Sequence, residues 1–217
     1  MRSKFASVVV ALLTSLSAAS AQSARHPEVR ADAKLNAAAR LISGLPAPHS
    51  SELAFARTPA WKEHSEFMRA AWARLNDRQV AAMTAWRKTE LPPTCPAGKT
   101  LMYPFSGPDF FNAYWLFPRC ETFVMFGLEH VGDVPNIEAM NERAIQQLLA
   151  EVRAAMTSFL ERNYFITGSM AKQLRTSQLH GVLPMFMLSM ALTGVEIVRI
   201  APHELAPRSL ANAGRLA

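Results

Sequence analysis

No stretch of the 217-residue chain gathers lysine and arginine into a run, although 23 basic residues outnumber 17 acidic ones. The formal excess of +6 is spread along the chain. No nucleic-acid-binding motif accompanies it, so nucleic acid is not expected as a partner. The six histidines are dispersed, and none stands in H-x-x-x-H or H-E-x-x-H spacing. The paired ligands that a metal site takes from one helical face are therefore missing, and no metal or other cofactor is expected. Cysteine is scarce, with Cys95 and Cys120 the only two. Internal repeats are absent. Long apolar runs are lacking too. The longest one after the N-terminus, Val182 to Leu192, is interrupted by Pro184 and Ser189. It falls short of the ~20 residues that cross a bilayer, so no membrane span is expected there.

What the chain does have is an export signal. Arg2 and Lys4 give a short positive start, Phe5 to Leu16 is apolar apart from Ser7, Thr14 and Ser15, and Ala19-Ser20-Ala21 reads as an A-x-A cleavage site. Residues 1–21 therefore read as a signal peptide, with Gln22 as the new N-terminus. The competing readings are an uncleaved anchor and a buried helix, and the second would need periodic polar positions. No cysteine stands at the end of the apolar stretch, so a lipid anchor on a new N-terminal cysteine is not expected. Cleavage removes two of the positive charges and leaves residues 22–217, enough for one domain with a substantial core. The expected location is periplasmic or secreted.

Apolar spacing and stop signals divide the mature chain. Ala31 to Ser43 reads as a helix stopped by Gly44. Thr58 and Pro59 open a second helix as N-cap and first-turn residue, with Trp61, Phe67, Met68, Ala71, Trp72 and Leu75 along its stripe. A break or new cap is expected at Asn76 or Asp77, and a third helix then runs to about Glu90. Thr100 to Phe105 reads as a strand, Phe110 to Phe117 as a buried helix ended by Pro118, and Thr122 to Gly127 as a second strand. The connection from Ser106 to Glu121 is long enough to join parallel strands. A long helical stripe follows from Ile137 to Leu160, as one helix or two. A short helix is expected at Ser169 to Leu174, a buried helix at Leu183 to Thr193 ended by Gly194, and a third strand at Val195 to Ile200. Pro207 to Ala217 reads as a frayed tail. The expected fold is α/β, a small mostly parallel sheet covered by helices (residues 99–205), with a helical N-terminal lobe (residues 31–91).

Tyr103 to Phe110, Y-P-F-S-G-P-D-F, followed by F-G-L-E-x-V-G from Phe126 to Gly132, resembles a group of bacterial exported proteins of uncharacterised function. The stretches I-T-G-S-M (Ile166 to Met170) and G-V-L-P (Gly181 to Pro184) are compatible with it. The resemblance covers most of the mature chain and implies export but no activity. The group commonly carries proline where His130 stands, which counts against His130 as an essential residue. At the level of fold, the segment is also similar to Rossmann-type methyltransferase domains. Gly107 and Glu129 stand 22 residues apart, near the spacing between a phosphate-binding turn and a ribose-binding acid. Only one of the usual glycines is present, and Pro108 follows it, so no nucleotide cofactor is expected.

Ser106 at a strand-to-helix turn suggests a hydrolase nucleophile, but both glycines of the G-x-S-x-G elbow are replaced, by Pro104 and Pro108. The plainer reading is a capping box, with Ser106 as N-cap and Asp109 as its third residue. Glu129 and His130 are adjacent, and neighbours in extended chain point apart, so they share a proton poorly. Met185, Met187 and Met190 suggest copper(I) in an exported protein; at helical spacing in a buried helix they suit the core better. The three tryptophans at 61, 72 and 86 read as packing more readily than as a binding face. If the two strands are parallel, Tyr103, Ser106, Gly107, Asp109 and Glu129 gather at their carboxyl ends, where open sheets bind ligands. Cys95 and Cys120 then lie at the opposite end, near enough for a disulfide in an oxidising compartment. The expected function is binding of an unknown small molecule or protein partner. The alternative is a small exported hydrolase or transferase using the same cleft.

Overall fold

The computed structural model describes residues 30–46, 55–91, 99–104, 109–127, 130–162, 176 and 178–201. The signal segment 1–21, Cys95, the short helix expected at 169–174 and the C-terminal tail lie outside the described residues. Among the described residues no helix is long and apolar enough to cross a membrane.

Helix α1 spans Ala33–Ile42 and starts two residues later than its apolar pattern suggests. Asp32 sets the start. Its carboxylate accepts the N–H groups of Lys34 and Leu35, each at 3.0 Å, which the first turn leaves unpaired. Gly44 ends the helix with φ +69°, and a Cβ there would stand 2.9 Å from the Ser65 Cα. Glycine thus permits both the left-handed turn and close docking on the next helix.

Helix α2, Pro59–Leu75, begins as expected, with the Thr58 hydroxyl accepting the Trp61 N–H at 3.3 Å. The break expected at Asn76 or Asp77 does not occur. Asn76–Val80 form a π-helical turn that leads directly into α3, Ala81–Glu90. Neither glycine nor proline interrupts this stretch, so the chain stays helical. The π turn shifts the register of the faces. Buried positions end at Leu75, and α3 has none. Trp86 is accordingly 50% exposed, whereas Trp61 is buried.

Strands β1, Thr100–Tyr103, and β2, Thr122–Met125, pair in parallel with Thr100 beside Thr122 and Tyr103 beside Met125. Helix α4, Phe110–Leu116, is the crossover between them. Ala113, with Phe117 just beyond α4, packs against Leu101, Tyr103 and Phe123 on one face of the pair. On the other face Met102 remains 61% exposed, and Phe126 beyond β2 is 52% exposed. Phe111 of α4 stacks on Trp115 with ring centroids 5.0 Å apart, and Trp72 of α2 lies against both. Arg87 of α3 donates to the Trp115 carbonyl at 2.6 Å, a cation at the C-terminal end of α4.

The long stripe resolves into two pieces. Ile137–Ala139 is a short 3-10 turn, Met140 is extended, and α5 runs unbroken from Glu142 to Arg162. The Asn141 side chain accepts the Ala144 N–H at 2.9 Å and so fixes the later start. Helix α6, Leu183–Thr193, is buried nearly all round and ends, as expected, at Gly194 with φ +75°. There the Val195 N–H reaches the Met190 carbonyl at 2.9 Å.

The third strand is not formed. Residues 195–200 form no regular element and pair with neither strand. Ile197 instead docks on the start of α1. Its carbonyl accepts the Asp32 N–H at 2.9 Å and the Asn36 amide at 2.7 Å, and its N–H donates to the Asn36 side-chain oxygen at 2.9 Å. One asparagine supplies the donor and acceptor of a missing neighbour strand. The alternation that suggested a strand is real, with Val195 and Ile197 buried and Glu196 exposed, but a helix surface causes it.

Among the described residues the fold is therefore mixed α/β but mostly helical, with a minimal two-stranded parallel sheet. Residues of α1 and α2 (Ile42, Met68, Leu75) share one buried cluster with Phe110, Leu148, Met156 and Leu188. The helices expected as an N-terminal lobe thus have their main core in common with the rest. Each fully buried side chain of this kind contributes about 1.5–3 kcal/mol.

Candidate functional site

Parallel pairing puts Tyr103 and Met125 at one end of the sheet and Cys120 beyond the other end. Asp109 stands immediately before α4, on the Tyr103 side of the crossover. The helix begins at Phe110, and the Asp109 carboxylate accepts the Asn112 side-chain amide at 3.2 Å rather than capping a backbone N–H. The Tyr103 phenol holds its proton more tightly than an ordinary tyrosine. Partial burial is the main cause and the negative charge of Asp109 the second. The pair thus offers a neutral O–H donor beside a carboxylate acceptor. Ser106, Gly107 and Glu129, expected alongside them, lie outside the described residues.

The backbone leaving β2 takes a specific path. Gly132 and Gly181 have φ +77° and +69°, and their chains cross at contact distance. A Cβ on Gly132 would stand 1.8 Å from the His180 carbonyl oxygen. The crossing lets His130 and Val131 carbonyls accept the N–H groups of Val182 and Leu183, at 3.1 and 2.9 Å. These N–H groups open α6, which has no side-chain cap. The end of the F-G-L-E-x-V-G stretch and the start of the G-V-L-P stretch are therefore one structural joint. His130 contributes its carbonyl to that joint.

A cavity of about 270 Å3 lies between the first turns of α1 and residues 134–138. Leu35, Ala38, Val134 and Ile137 line it, and the Lys34–Glu138 ion pair, 3.0 Å long, sits at its rim. It includes neither Tyr103 nor Asp109. Nothing in the spacing of these residues marked them as neighbours, because they come from segments a hundred positions apart.

The methionines of α6 are core. Met185, Met187 and Met190 are 2%, 0% and 7% exposed and pack among aliphatic and aromatic side chains. Glu151, half-buried on α5, has a structural task. One of its oxygens accepts the Thr176 hydroxyl at 2.7 Å and the N–H groups of Gln178 and Leu179 at 3.0 and 2.9 Å. Among the described residues no group of three or more His, Cys, Asp or Glu side chains converges as a metal site would. Comparison with family models, with curated proteins and with solved structures finds no match to the chain.

Proposed function

We propose that the chain is exported, loses residues 1–21, and binds a small ligand or a protein partner in the periplasm or outside the cell. The proposed contact region is the carboxyl end of β1 and β2. The observation that supports it is the parallel register, with Tyr103 at the end of its strand within the electrostatic reach of Asp109. Such ends collect free N–H groups and side chains that face a ligand. A phenol that keeps its proton suits hydrogen bonding to an acceptor better than it suits nucleophilic attack. The alternative hydrolase or transferase reading would rest on Ser106, Asp109 or Glu129.

The test is native mass spectrometry of the protein recovered from the exported fraction. The expected result is a mature N-terminus at Gln22 and a bound ligand whose occupancy falls in Tyr103→Phe and Asp109→Asn without loss of thermal stability. A protein retaining Arg2 and Lys4 in the membrane would overturn export. Full ligand occupancy in both variants would overturn the site. Turnover of the recovered ligand that disappears in Ser106→Ala would favour the enzymatic alternative.

A further inference from the structure

His64 has no exposed surface, yet it sits in a helix interface among apolar side chains. It shares the buried face of α2 with Trp61 and Met68. Its Nε2–H donates to the Ile42 carbonyl at 2.9 Å. Ile42 is the last residue of α1, where a helix leaves its carbonyls unpaired. The next residue, Ser65, donates its hydroxyl to the Gly44 carbonyl at 2.7 Å. Two successive α2 side chains thus hold the C-terminal end of α1, and the close approach at Gly44 brings the two backbones together.

This geometry dictates the tautomer. A carbonyl only accepts, so the proton of the neutral ring is on Nε2, and Nδ1 is a buried lone pair with no hydrogen-bond partner. Protonation would add a second N–H and a charge inside a buried interface, where Nδ1 makes no hydrogen bond as placed and the Leu149 carbonyl is the acceptor that favours the charged ring. Among the described residues, the charged side chain acting on the ring is Arg153 of α5, which has the same sign. Arg153 is itself held 3.5 Å from Glu63. Burial is the strongest influence against the charged ring, and it outweighs the carbonyls of Ile42 and Leu149, which favour it.

We propose that His64 is an acid-sensitive latch between α1 and α2, whose protonation frees the C-terminal end of α1 while α5 and α6 stay packed. Helix α1 also forms one wall of the cavity at Lys34, Leu35 and Ala38. Acidification therefore acts on the cavity through the helix the two features share.

The test is amide hydrogen exchange of the mature protein between about pH 7 and about pH 4, with the His64 ring followed by NMR. In the wild type, protection factors in α1 should fall about tenfold or more before those in α6 change. The fall should track the His64 titration. His64→Gln keeps an N–H donor near the Nε2 position and cannot titrate, so its α1 should stay protected over this range. Arg153→Gln should raise the pH at which the ring protonates. Equal loss of α1 protection in wild type and His64→Gln would overturn the latch. Should His64→Gln fail to fold, the wild type alone decides: a ring that titrates while α1 keeps its protection also overturns it.

Discussion

The helical core and the β1–α4–β2 unit bury apolar surface to very different degrees. Ile42, Leu148, Met187 and Leu188 have no exposed surface, whereas Met102 and Phe126 on the open side of the sheet are more than half exposed. Parallel strands normally have both faces covered, and two strands alone are marginal. This pair is supported through its crossover helix, because Phe110 and Phe111 of α4 are sunk in the helical core. The helices form the frame, and the sheet unit depends on it for support. Among the described residues, large apolar side chains left exposed include Met102 and Phe126 in the dependent part and Trp86 on α3.

The sharpest way to break this comparison is at the joint between the two parts. Gly132→Ala places a Cβ against the His180 carbonyl at a φ of +77°. It should cost more than about 4 kcal/mol in urea unfolding, or prevent folding. A cost near that of a surface change would mean the joint is not what ties the end of β2 to α6. Next, Leu148→Ala should destabilise by about 3–5 kcal/mol and Met102→Ala by less than about 0.5 kcal/mol. Similar costs would erase the distinction between frame and sheet.

A disulfide would explain how the weaker unit is braced, and we propose the pair Cys95–Cys120. Cys120 is buried beside Ala113 and Phe123, and the adjacent Glu121 N–H donates to the Lys99 carbonyl at 3.2 Å. That contact places Lys99, four positions after Cys95 in the sequence, beside Glu121. Reduction should lower stability by about 3–4 kcal/mol in the chain-entropy model. Two alkylatable thiols in the unreduced, unfolded protein would exclude the bridge.

Acid should act on the frame instead. Burial lowers the His64 pKa from 6.5 to about 4 in the folded state. A depressed folded value means the neutral ring is the form folding favours. Its contribution is complete above about pH 6.5 and is lost as pH falls toward about 4, a total of about 3 kcal/mol. Chemical denaturation of wild type and His64→Gln across this window should show the difference, and parallel pH profiles would contradict it. The smallest effect is expected at the strap. Asn36→Ala removes both side-chain bonds to Ile197 and should cost about 1–2 kcal/mol.

Much of the frame was legible because its signals are local. Thr58-Pro59 started α2, Gly44 and Gly194 marked helix ends, and the stripe from Ile145 to Phe159 marked α5. The parallel pair was legible from the length of its crossover. Residues 195–200 misled because alternation reports one buried face and does not say whether a strand or a helix provides it. Asn76 and Asp77 misled because polar residues resemble a cap when the helix merely leaves the core through a π turn. His64 had a local signal, falling on the Trp61–Met68–Leu75 stripe, but its partner carbonyl is fixed by tertiary packing. The cavity and the Gly132–Gly181 crossing join distant segments, and no spacing rule reaches across them. Of the candidate site, the charge of Asp109 reaches Tyr103, while Ser106, Gly107 and Glu129 lie outside the described residues.

A stable helical frame should carry a separable, more open sheet unit. Native-state hydrogen exchange tests it most directly. Amides of α5 and α6 should exchange only through global unfolding, with the full denaturant dependence of that reaction. Amides of β1, α4 and β2 should exchange faster, through an opening that depends little on denaturant. A single exchange free energy shared by both regions would contradict the account.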